Sequence, residues 1–95
     1  MLGEANCIQN LGDIALAEAR IEDARASYAQ ALALYERIPE PYSIGWAQVR
    51  LARIARNAGE RRAHVQAAAR AWQQIDRPDL LQRLAKEFGE DADVP

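Results

Sequence analysis

Apolar and small residues recur along the chain at spacings of three and four, in blocks separated by short polar or proline-bearing breaks. Ile8, Leu11 and Ala15 mark one helical face, and Ala24, Tyr28, Ala31, Leu32 and Tyr35 mark another. A turn near Ala19 to Glu22 separates the two blocks. Pro39 and Pro41, in the run RIPEPYS, end the second block, because proline has no amide hydrogen to donate and restricts the residue before it. Ser43 is expected to cap the next helix, which carries Val49, Leu51, Ile54 and Ala55. Asn57-Ala58-Gly59-Glu60 reads as a helix stop followed by a turn. Val65, Ala68, Ala69, Trp72 and Ile75 make a fourth helical face, and Asp76-Arg77-Pro78-Asp79 breaks it. Leu80, Leu81, Leu84, Ala85 and Phe88 then fall on one amphipathic stripe. The pattern predicts five helices of roughly 10–17 residues with short connections. From Gly89 onward the chain reads as a frayed acidic tail.

Displaced by about 40 positions, the sequence matches itself. Leu11 falls on Leu51, Ile14 on Ile54, Ala15 on Ala55, Ala29 on Ala69 and Ala31 on Ala71. Gly12 falls on Ala52 and Ala5 on Gly45, so small residues stay small. A period held over this many positions implies stacked two-helix units, each covering its neighbour. The units span about residues 3–38 and 43–76, with a closing helix at about 79–88, in one domain over 3–88, and the tail covers 89–95. The fold class is therefore all-α: two stacked helix-turn-helix hairpins plus a C-terminal capping helix, in a right-handed superhelix.

Composition supports helices. Of the 95 residues, 49% are hydrophobic, alanine is abundant and aromatics are few. No run approaches the ~20 apolar residues of a membrane span, and no basic-then-apolar leader opens the chain. Cys7 is the single cysteine, which excludes an internal disulfide and makes a reducing cytoplasm the expected compartment. The formal net charge of −2 argues against nucleic acid as a partner. Charge is uneven, however: residues 50–77 carry seven arginines against only Glu60 and Asp76, and acidic segments flank them.

Ile8, Leu11, Gly12, Ala15, Ala24, Tyr28 and Ala31 together resemble the tetratricopeptide repeat family, in a variant whose period is longer than the family's usual 34 residues. In that family small residues mark where the two helices of a unit meet. Unit two departs from the pattern at Gln48, Ala52 and His64. The resemblance implies that the first helix of each unit lines a concave face, here through Asn6, Gln9, Asn10, Asp13, Leu16 and Ala17, and through Trp46, Val49, Arg50, Arg53, Arg56 and Asn57. It further implies a non-catalytic protein–protein interaction module that binds a protein or peptide there. Long-period arrays of this kind resemble the helical arms of large bacterial regulators, so a structural self-association or sensor arm is the alternative.

Arg50, Arg53 and Arg56, three residues apart, share one side of their helix. Two readings stand: an arginine clamp for an acidic peptide with Trp46 as anchor, or internal pairing with Asp13, Glu18 or the acidic tail. Self-association through the first helix is also expected, because no unit precedes it to cover Leu2, Ile8 and Leu16. His64, the only histidine, reads as a partly buried spacer, Cys7 as a small core residue, Trp72 and Tyr28 as core fillers and Tyr42 as part of a linker. The five glycines form no phosphate-cradling loop. Without a nucleophile–base pair or metal-ligand spacing, neither an enzyme nor a cofactor is expected.

Overall fold

The structure, a computed structural model, describes residues 2–92, apart from the side chains of Leu2 and Glu90. The exposure expected for Leu2, and residues 93–95 of the acidic tail, lie outside the described residues. Five helices follow one another: α1 (Leu2–Ala17), α2 (Ile21–Arg37), α3 (Pro41–Arg53), α4 (Ala58–Gln73) and α5 (Pro78–Phe88). A 3-10 turn, Gly89–Ala92, comes after α5, and no strand occurs among the described residues. α1 packs on α2 and α3 on α4 as two hairpins, α2 joins α3, and α5 closes the stack against α4.

Close approach within each hairpin depends on one glycine facing one aromatic ring. Gly12 of α1 lies so near Tyr28 of α2 that a Cβ would come within 2.6 Å of Tyr28 Cε1. Gly45 of α3 lies tighter still on Trp72 of α4, where a Cβ would come within 2.1 Å of Nε1. The core then runs through the stack as three linked clusters. Ala15, Ala24 and Tyr28 hold Leu51, and Ala5, Ala31 and Tyr35 hold Ala47. Val49, Ala52, Val65, Ala68, Ala69 and Trp72 hold Leu80 and Leu84 of α5.

Several expectations are corrected. Leu11 and Ile14 are 55% and 53% exposed, because α2 takes the Ala5–Gly12–Ala15 side of α1 instead. Cys7 is exposed as well, not a core residue. Ser43 is not a cap: Glu40 is, accepting the Ser43 amide at 2.8 Å, so Pro41 sits in the first turn of α3 and Tyr42 lies within the helix. Proline is at home there, since a first-turn amide has no intrahelical partner in any case. Asn57 starts α4 rather than ending α3, its Oδ1 accepting the Glu60 amide at 2.8 Å. The segment after Gly89 is no frayed tail as far as Ala92, because Arg61 donates to Asp91 at 2.8 Å and Ala92 packs on the core.

Candidate functional site

Between α1 and α3 runs an open groove of about 370 Å³. Asn6 and Gln9 form one wall, Tyr42, Ser43, Trp46, Arg50 and Arg53 the other, and Tyr35 of α2 lies between them. α2 separates α1 from α3 in sequence and underlies both, so the gap follows from the hairpin stacking. The Tyr35 hydroxyl donates to Asn6 Oδ1, and burial raises its pKa. Gln9 Oε1 is buried without a hydrogen-bond partner.

Asp13 is the electrostatic hinge of this face. Arg50 reaches it with Nε at 3.0 Å from Oδ1 and Nη2 at 3.3 Å from Oδ2, and the Tyr28 hydroxyl donates to Oδ1 at 2.5 Å. Burial alone would raise the Asp13 pKa, but the bonds from Arg50 and Tyr28 outweigh it and hold the carboxyl below its ordinary value. Tyr28 is correspondingly pushed up to about 12, by burial first and by its bond to Asp13 second.

The same fork-to-carboxylate contact recurs one step along the stack. Arg53 of α3 meets Glu87 of α5 at 2.8 and 2.9 Å, which lowers the Glu87 pKa and raises that of Arg53. Arg56 does not share the helix of Arg50 and Arg53 as expected, because α3 ends at Arg53; from the bend beyond it, Arg56 donates to Glu22 at 2.6 Å. Arg50, Arg53 and Arg56 are thus all internally paired, with Asp13 as expected but with Glu22 and Glu87 in place of Glu18 or the acidic tail. Glu18 instead pairs with Arg20.

Aromatic rings line the crest between this groove and a smaller one. Trp46 stands edge-to-face with Tyr42 at 6.5 Å and with Trp72 at 5.0 Å. Arg77 lies over Tyr42 at 5.8 Å and Arg83 over Trp46 at 5.4 Å, both within cation–π range. The smaller recess, about 60 Å³, is bounded by Trp46, Val49, Arg53, Trp72, Arg83, Leu84 and Glu87.

Of the residues expected on the concave face, the main groove brings together Asn6, Gln9, Trp46, Arg50 and Arg53. Asp13 adjoins them through Arg50. Val49 is buried in the core, with only an edge on the small recess. Asn57 is occupied as a helix cap, and Arg56 by Glu22. Asn10, Leu16 and Ala17 are exposed but line neither recess. Tyr35, Tyr42 and Ser43 are groove residues that the sequence reading missed. The signal for the last two was the Glu-Pro pair ahead of Tyr42, which starts a helix rather than breaking one.

His64 is half-buried, its Nδ1 2.7 Å from Oε1 of the buried Gln48. Burial pushes its pKa below the ordinary value; Glu60 opposes that push and Arg25 adds to it. Two of the three departures in unit two, Gln48 and His64, therefore answer one another across α3 and α4. Among the described residues no cluster of three or more metal-ligating side chains occurs, and no helix is long and apolar enough to cross a membrane. Compared with known proteins, the chain meets no match: no family model, no curated protein and no solved structure aligns with it.

Proposed function

We propose that the chain is a helical-repeat interaction module of the tetratricopeptide type, which takes an extended segment of a partner protein in the groove between α1 and α3 without chemistry. The groove lined by Asn6, Gln9, Tyr35, Tyr42, Ser43, Trp46, Arg50 and Arg53 carries the reading. Amide and hydroxyl groups along the walls suit the alternating donors and acceptors of a peptide backbone. The aromatic crest at Trp46 offers an anchor for one apolar side chain, the kind of contact that dominates binding energy.

The pairing of Arg50 and Arg53 sets the expected preference. A ligand carboxylate would have to displace Asp13 or Glu87, each already held by a two-point contact. Aromatic and amide contacts, rather than free positive charge, therefore govern affinity, and an acidic side chain adds selectivity near the exposed edge of Arg53. Binding to a randomised peptide array, read against Ser43→Arg and Trp46→Phe variants, tests this. Ser43→Arg fills the groove and is expected to lower binding at least about tenfold with little change in melting temperature. Equal binding by this variant, or no peptide bound by the parent chain, overturns the reading.

A further inference from the structure

The stack contains the same docking interface twice and offers its leading half a third time. α3 docks on the first hairpin through Ile44, Ala47, Leu51 and Ile54, which enter the Ala5–Ala31–Tyr35 and Ala15–Ala24–Tyr28 clusters. α5 docks on the second hairpin through buried Leu80 and Leu84 with half-buried Leu81 and Phe88 beside them; Leu81, Leu84 and Phe88 stand at the positions of Ile44, Ala47 and Leu51 when Pro41 and Pro78 are aligned, and Leu80 at that of Ser43. In α1 the corresponding residues under the repeat are Glu4, Cys7, Leu11 and Ile14. None of these is covered: Glu4 and Cys7 are exposed, and Leu11 and Ile14 are more than half exposed. Positions that are buried or half-buried along α3 and its C-terminal cap thus meet solvent in α1.

We infer that the Cys7–Leu11–Ile14 face of α1 is a docking surface for the trailing side of another helical hairpin, one lined by alanines and two tyrosines as α1–α2 is. Continuity with the two internal interfaces identifies the occupant. A second copy of the chain does not meet the requirement in head-to-tail fashion, because its own trailing sides are taken by α3 and α5. The occupant also needs no charge clamp. Arg50 and Glu87, the clamp residues of α3 and α5, correspond to the uncharged, exposed Asn10 in α1.

The test supplies the occupant. A copy of residues 2–40 carrying Cys7→Ser is placed directly ahead of Met1, reproducing the junction by which α2 leads into α3. The single remaining thiol then reports on the face. Its labelling by a thiol reagent is expected to slow at least about tenfold relative to the parent chain, and the melting temperature to rise. Leu11→Glu with Ile14→Glu in the downstream copy is expected to restore fast labelling, while the same pair leaves the melting of the parent chain unchanged. Labelling at the parent rate in the extended protein overturns the inference. So does a tight dimer of the parent chain in sedimentation that Leu11→Glu with Ile14→Glu dissolves, since the occupant is then a second copy.

Discussion

A methyl group added at Gly45 would lie 2.1 Å from Trp72 Nε1 and 2.3 Å from Cε2. The ring has no room to withdraw, because Nε1 donates to the Tyr42 carbonyl at 3.1 Å and the ring packs edge-to-face with Trp46 at 5.0 Å. Gly45→Ala is expected to destabilise the protein by about 2 kcal/mol, even though alanine is favoured over glycine by ~1 kcal/mol inside a helix. Gly59→Ala is the control: its nearest neighbour would be Asn57 Oδ1 at an ordinary 3.4 Å, so the propensity gain stands alone and stability rises by up to ~1 kcal/mol. Urea midpoints measure both, and equal signs for the two substitutions would contradict the close-approach argument. His64 gives a second residue-level prediction. Its folded pKa lies below its unfolded value, so its contribution is present above about pH 6.5 and is lost as pH falls through the folded value. Asp13 and Glu87, whose pKa values are also depressed, lose their contributions only below about pH 4.5. Between pH 7 and 5 the melting temperature should therefore fall in the parent and stay level in His64→Gln.

At the scale of elements, the caps and the inter-helix pairs decide where helices begin and how they align. Glu40 and Asn57 each satisfy a first-turn amide, so Glu40→Ala and Asn57→Ala should each cost about 1 kcal/mol in urea denaturation. The Arg53–Glu87 pair ties α3 to α5 at a partly exposed site, where a pair contributes ~0.2–1 kcal/mol. Arg53→Glu should lose about that much, and adding Glu87→Arg should regain most of it; a double-mutant cycle without coupling would reduce the pair to decoration. The sequence exposed the helices readily because alanine-rich spacing at three and four has one sensible reading. The self-match under displacement exposed the hairpins and their Gly12 contact. Helix starts were harder to see: a proline reads as a break until its preceding acid is recognised as a cap, and this moved Tyr42 out of the linker and Ser43 out of the cap position, both into the groove wall. Leu11 and Ile14 misled for a different reason. Periodicity says which residues share a face, but not whether anything covers that face. The arginine band was legible as charge and Asp13 as one of its partners, yet Glu22 and Glu87 were not, since they come from two other helices far away in sequence.

For the whole molecule, the difference between a covered and an uncovered face is an energetic one that a single comparison measures. Leu84 of α5 and Leu11 of α1 both belong to the docking stripes of their helices, and both are leucines. Leu84 is 2% exposed against Val49, Val65 and Trp72, whereas Leu11 is 55% exposed. Burying a leucine side chain contributes about 1.5–3 kcal/mol, and a carboxylate forced into its place adds a desolvation cost. Leu84→Glu should therefore remove at least about 3 kcal/mol of stability, a large fraction of the ~5–15 kcal/mol available to a domain of ordinary size. Leu11→Glu should fall within about 0.5 kcal/mol of the parent. Deleting everything after Arg77 extends the comparison, because it strips Leu80 and Leu84 from the Trp72 cluster and leaves the second hairpin as open as the leading face of the first. Two hairpins with neither outer face covered fall short of the roughly three units that a stack of this kind needs. That truncated chain should lose its cooperative urea transition and bind a hydrophobic dye at neutral pH. A sharp transition at the parent midpoint would mean that α5 rests on the stack without closing it.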